Sequence, residues 1–144
     1  MSKTDKIFLL NAPYDNSYQG DDLRLVFVCS AGILRSATAA NLYAKKGYNT
    51  RSCGTHEFAL IPLSVNLIMW ADRIIFMNPD NHKIAQQNFM AVGYEEDIDK
   101  KAIILTVEDD YDYNEPKLIA EIEKQMAKHT LVPKRIARAT GGYY

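Results

Sequence analysis

The side chains best placed for chemistry in this 144-residue chain are Cys29, Arg35 and Ser36, the first two separated by five residues. A strand-like apolar run over 25–28 leads into Cys29, and an alanine-rich helical pattern begins at Arg35. A loop that leaves a strand and enters a helix aims successive backbone N–H groups at one point, at the positive end of the helix dipole, and so cradles an anion. Ser30, Ala31, Gly32, Ile33 and Leu34 would supply that cradle. Gly32 sits mid-loop, where a positive φ is needed and glycine takes it without steric cost. The dipole and the charge of Arg35 favour the thiolate of Cys29, which is the nucleophilic form of a cysteine. Arg35 can grip two phosphoryl oxygens with its planar fork, and Ser36 can donate a hydrogen bond to the sulfur. The chemistry implied is nucleophilic attack on a bound phosphate ester.

A second stretch rich in ionisable groups, residues 108–116, follows the last strand expected, at 102–107. It is acidic and aromatic, and a helix with Ile119, Ile122 and Met126 on its inner side comes after it. Ligands of open parallel sheets lie outside the carboxyl ends of the strands, so this loop is expected to face Cys29.

The elements that must hold these residues read as strand, loop and helix in repeated alternation. A helix is expected over 35–46, with Ala37, Ala39, Ala40 and Ala44 allowing close approach to a sheet and Gly47 as its stop. A strand over 48–53 follows, then a loop with His56 and Glu57 beside the cleft. The next helix is expected over 62–70, with Pro62 in its first turn and Leu63, Leu67, Ile68 and Trp70 on its apolar side. A buried strand over 74–77 precedes a helix opening at Asn78-Pro79-Asp80, with Ile84, Ala85, Phe89 and Val92 inward before Gly93. His82 and Trp70 read as structural. The pattern predicts an α/β sandwich around a four-stranded parallel sheet.

Composition fits one domain over 1–144: 47% of residues are hydrophobic and 24% charged, enough for one core. With 17 Lys plus Arg against 18 Asp plus Glu, no overall field argues for nucleic acid or an acidic membrane surface. No run has transmembrane length, and two cysteines make no disulfide framework, so a reducing, cytoplasmic compartment is expected. Residues 1–22 read as an N-terminal extension, with a possible strand at 7–10 and Tyr14 and Tyr18 able to line a cleft. Residues 129–144, carrying His129, Lys134, Arg135 and Arg138, read as a basic tail.

The Cys-x5-Arg-Ser loop resembles the phosphate-binding loop of the low-molecular-weight protein tyrosine phosphatase superfamily, whose pattern is Cys-x-Gly-Asn-x-Cys-Arg-Ser. The resemblance covers roughly residues 24–125 and is greatest to a short predicted tyrosine phosphatase branch, in which Leu replaces the second cysteine. Here Ala31 and Gly32 stand in place of Gly-Asn, and Leu34 in place of that cysteine. Ser52-Cys53-Gly54-Thr55 is similar to the family's Ser-Ala-Gly-Thr, whose serine braces the loop. Asp109-Asp110-Tyr111 is similar to its Asp-Pro-Tyr.

The resemblance implies strand order 2-1-3-4, no metal or cofactor, and a phosphotyrosine or other aryl phosphate substrate on a protein or small molecule. It implies that inorganic phosphate, sulfate or vanadate would occupy the loop. Cys29 would form a phosphocysteine, with Arg35 as clamp, Asp109 as general acid (Asp110 the alternative) and Ser52 as a brace. Tyr111 would wall the slot for the substrate ring. Ile33, apolar where related arginine phosphatases carry threonine, would favour aryl phosphate over phosphoarginine. Two other readings stand beside this one. The first is a non-catalytic phosphate-binding or scaffold protein; the second is an arsenate reductase, for which only Cys53 could act as the second thiol.

Overall fold

The computed structural model describes residues 20, 22–32 and 34–131. The expected strand at 7–10, Tyr14, Tyr18, Ile33 and the tail from 132 lie outside the described residues. The chain alternates β1 (Arg24–Cys29), α1 (Arg35–Lys45), β2 (Asn49–Gly54), α2 (Val65–Trp70), β3 (Arg73–Phe76) and α3 (Pro79–Met90). It continues with α4 (Glu95–Lys101), β4 (Ala102–Ile104) and α5 (Pro116–Met126). The strands form one parallel sheet in the order β2-β1-β3-β4, as expected.

β1 is central and buried from Leu25 to Cys29, which explains its continuous apolar run. Successive strand side chains point to opposite faces, so Val26 and Val28 pack with Leu67, Ile68, Ala85 and Ile98 on one side. Leu25, Phe27 and Cys29 pack with Ala39, Tyr43, Leu118 and Ile122 on the other. Helices thus cover both faces. α1 stops as expected at Gly47, whose φ is +103°. Gly47 N donates to Ala44 O at 3.1 Å and Tyr48 N to Tyr43 O at 3.2 Å.

Several expectations need correction. Pro62 does not start a helix. It bridges to Gly54, and α2 begins later at Val65, capped by Ser64, whose side chain accepts from Leu67 N at 3.2 Å. On α3 only Asn81 and Ala85 are buried, while Ile84 is exposed and Val92 lies past the helix end, so a helix-long apolar face overstated the contact. Leu118, not Ile119, joins Ile122 and Met126 beneath α5. α4 was not expected, because only Ile98 in it is buried; its acidic first turn and basic last turn instead complement the helix dipole. β4 ends at Ile104, but Leu105 N to Phe76 O (2.9 Å) and Val107 N to Met77 O (2.8 Å) carry the chain along β3 to Val107. Among the described residues no helix is long and apolar enough to cross a membrane.

Candidate active site

Cys29 is the last residue of β1 and is almost wholly buried at the carboxyl edge of the sheet. Its sulfur receives the Gly32 N–H at 3.1 Å and lies 3.0 Å from the Ser36 hydroxyl, so a backbone N–H and a hydroxyl converge on one sulfur. Gly32 makes the turn possible, with φ at +75°. A Cβ there would also come within 2.9 Å of the Cys53 carbonyl carbon, so both backbone angle and space demand glycine. Gly54 matters for the same reason of space: a Cβ would approach Ser30 O to 2.5 Å. The N-terminus of α1 has no side-chain cap and no acidic residue in its first turn. Its leading N–H groups and its dipole are therefore available to an anion.

Arg35 opens α1 and is buried, with Nη1 donating to Val107 O at 3.0 Å. Its Nε makes no hydrogen bond among the described residues but sits 3.4 Å from Asp109 Oδ1. Cys29, Ser30, Ala31, Leu34, Arg35 and Asp109 line one cavity of about 140 Å³. Asp109, rather than Asp110, is the carboxylate that shares this cavity with the sulfur, and its side chain remains mostly exposed. A thiol, a guanidinium and a carboxyl group around a small anion-sized space can perform in-line phosphoryl transfer with proton donation to the leaving group.

Other expected site residues fall elsewhere. Ser52 lies in β2 opposite Phe27, short of the register of Cys29, and among the described residues no hydrogen bond joins it to the loop. The loop is braced instead from the next segment, by Thr55 N to Cys29 O at 3.0 Å and His56 N to Ser30 O at 2.9 Å. Tyr111 does not line the cavity over Cys29. It packs against the core cluster on the α1–α5 face, and burial, then the nearby carboxylates led by Asp110, pushes its phenol up. Tyr113 is half exposed. Cys53 is fully buried on the opposite face of the sheet from Cys29, and burial, then the neighbouring Cys29, pushes its thiol well above its ordinary range. With their side chains on opposite faces, the two cysteines could not form a disulfide without backbone movement.

Two functional contacts were missed from the sequence. Asn81, buried in the first turn of α3, donates from Nδ2 to Ser30 Oγ at 3.2 Å and ties the loop between Cys29 and Arg35 to α3. Thr38, buried in α1, accepts from Asn114 N at 2.9 Å and pins the far end of the acidic loop. Asn114 adopts φ +58°, a left-handed conformation that asparagine tolerates better than most residues and that aims its N–H at the hydroxyl. A polar residue facing the sheet from a helix first turn at the ligand edge was the available signal for Asn81. For Thr38, the only signal was a hydroxyl among alanines.

No protein-family model matches the chain, and no curated protein matches it. Solved structures do match. A YwlE mutant from Bacillus subtilis is 20% identical, with TM-score 0.52 over 74% of this chain and 97% of that one. The YwlE arginine phosphatase from Geobacillus stearothermophilus is 18% identical, with TM-score 0.50 over 76% and 99%. A YwlE arginine phosphatase mutant with a phosphorylated active-site serine is 19% identical, with TM-score 0.50 over 79% and 99%. At these identities the likeness is one of fold. Together with the four-stranded parallel sheet, it shows that the chain shares the fold of these YwlE structures.

Proposed function

We propose that the chain is a cysteine-based phosphatase that hydrolyses phosphotyrosine or other aryl phosphomonoesters. The observation that carries this reading is the shared cavity of Cys29, Arg35 and Asp109, with the Gly32 N–H and the Ser36 hydroxyl both in hydrogen-bond reach of the sulfur. The Cys29 thiolate attacks phosphorus as the bond from phosphorus to the ester oxygen breaks. The electron pair leaves on that oxygen, which takes a proton from the Asp109 carboxyl. Water then attacks the phosphocysteine while Asp109 accepts its proton, the sulfur–phosphorus bond breaks, and phosphate leaves with the thiolate restored. Arg35 and the N–H groups of the loop hold the non-bridging oxygens throughout.

The aryl preference rests on apolar surface near the sulfur: Leu34 lines the cavity and is 37% exposed. Likeness to arginine phosphatases supports phosphoarginine as a second substrate reading. Turnover of phenyl phosphate, a phosphotyrosine peptide and phosphoarginine decides between them. Faster hydrolysis of phosphoarginine would overturn the aryl assignment while leaving the thiol chemistry standing. Vanadate binding without turnover of any of the three would support the non-catalytic reading. Asp109→Asn should lower kcat for phenyl phosphate by about 10²–10⁴ and far less for an ester whose leaving group needs no proton. Equal losses on both esters would remove Asp109 from the role of acid.

A further inference from the structure

Between Cys29 and Arg35 the sequence Ser30-Ala31-Gly32-Ile33-Leu34 offers one polar side chain, that of Ser30. The N–H groups of this loop must already converge on one point when an anion arrives, yet its own side chains give the fold only that one polar handle. The backbone of the loop is held from the β2 end, by His56 N to Ser30 O at 2.9 Å and by a packing so close that a Cβ on Gly32 would meet Cys53 C at 2.9 Å. The handle is taken by α3, where Asn81 Nδ2 donates to Ser30 Oγ at 3.2 Å. Ser30 is thus held at its carbonyl and at its side chain by two different parts of the chain. Asn81 is itself firmly placed: its N–H donates to Asn78 Oδ1 at 2.9 Å, and Met77 N, just before α3, donates to Val28 O at 2.8 Å, one residue before the nucleophile. Its side chain is 1% exposed, and Oδ1 has no hydrogen-bond partner among the described residues. A buried amide with an unpaired oxygen costs stability that an apolar side chain of similar shape would not, so the fold gains nothing from an amide here except its hold on Ser30.

We propose that Asn81 is a positioning residue, which through the Ser30 hydroxyl keeps the loop set to receive an oxyanion before the oxyanion binds. The inference rests on the phosphatase reading above for the identity of that oxyanion, a phosphoryl group, and adds to it the part that sets its cradle. Asn81 does not line the cavity of Cys29, Arg35 and Asp109, whereas Ser30 does, so its influence on a ligand passes through Ser30. Donors aligned in advance need no reorganisation when charge shifts onto the phosphoryl oxygens, and a loop released from α3 would have to be ordered by the ligand itself.

The test is a double-mutant cycle on Asn81→Leu and Ser30→Ala, read by calorimetric titration with vanadate, by turnover of 4-nitrophenyl phosphate and by thermal melting. Asn81→Leu should weaken vanadate binding about tenfold, the scale of one positioning hydrogen bond, and lower kcat/KM by a similar factor, while the melting temperature stays level or rises. Ser30→Ala should show the same losses, and the double variant should lose no more than either single one, because both break one contact. A purely structural Asn81 would lower the folded fraction and leave the vanadate dissociation constant of the folded protein unmoved, and that result would overturn the proposal. So would losses that multiply to about a hundredfold in the double variant, since the two residues would then act separately. Asn81→Ala takes the place of Asn81→Leu in the cycle if the latter does not fold. Vanadate losses of the expected size in a protein that hydrolyses no phosphate ester would uphold the proposal and defeat the phosphatase reading alone. Hydrolysis by the wild type, with vanadate affinity equal in all variants, would do the reverse, and a wild type that binds no vanadate would overturn the proposal outright.

Discussion

Arg35 and Arg51 are both buried, yet one sits at an open cavity and the other is enclosed by protein. Arg51 donates from Nη1 to Asn49 Oδ1 and Thr50 O, both at 2.8 Å, and its guanidinium lies 4.8 Å from the Trp70 ring centroid. Its charge is thus met by carbonyl oxygens and an indole face. Arg35 spends one donor on Val107 O and turns Nε toward an exposed carboxylate beside the Cys29 thiol. Burial of a guanidinium therefore does not by itself indicate function. What distinguishes the site is whether protein atoms close the fork or leave it facing space that a ligand can fill.

Substitution at the two arginines should separate these roles most sharply. Arg35→Lys keeps the charge but loses the bidentate fork, and kcat should fall by about 10²–10³ with little change in thermal stability. Arg51→Ala should cost about 2–4 kcal/mol of unfolding free energy by denaturant titration while the folded protein keeps its kcat. If Arg51→Ala cut kcat as deeply as Arg35→Lys, the contrast drawn between the two would collapse.

A smaller effect is expected at Thr38, which touches no substrate and acts through the acidic loop. Thr38→Val removes the acceptor for Asn114 N, and turnover of phenyl phosphate should drop about tenfold, the scale of one lost positioning hydrogen bond. Esters with good leaving groups should be spared, and Thr38→Ser should restore the rate. An equal loss on every ester would mean that Thr38 only supports the fold.

The smallest effect lies in the core beneath α1. The Tyr43 phenol is pushed up to about 12 by burial first, then by Glu123 and Tyr48. Between the ordinary value of 10.0 and about 12 the folded chain keeps a proton that the unfolded chain releases, so stability falls as pH rises through that window. The loss should be roughly 1 kcal/mol after solvent screening, and Tyr43→Phe should abolish it. An unchanged alkaline slope in the Phe variant would assign the loss to other groups.

These contrasts also show what could be read in the sequence. The placement of Cys29, Gly32, Arg35 and Ser36 was legible because it depends on neighbours within one strand–loop–helix turn, where spacing alone sets geometry. The strands and α1 were legible from apolar runs and the Gly47 stop. Thr38 and Asn81 were not, since their partners lie 76 and 51 residues away and only the folded sheet edge brings them together. For Tyr111 a motif position fixed its place in the chain but not the direction of its ring, which packs, partly buried, against the cluster on the α1–α5 face. α4 escaped notice because a helix with one buried apolar residue carries almost no periodic signal.

The most direct test of the central claim is to trap the covalent intermediate. Wild-type protein mixed with a phosphotyrosine peptide or 4-nitrophenyl phosphate, quenched in acid and mapped by mass spectrometry should carry a phosphoryl group on Cys29, and Cys29→Ser should show no turnover. Unimpaired hydrolysis by Cys29→Ser, or a phosphoryl group on any other residue, would contradict the account.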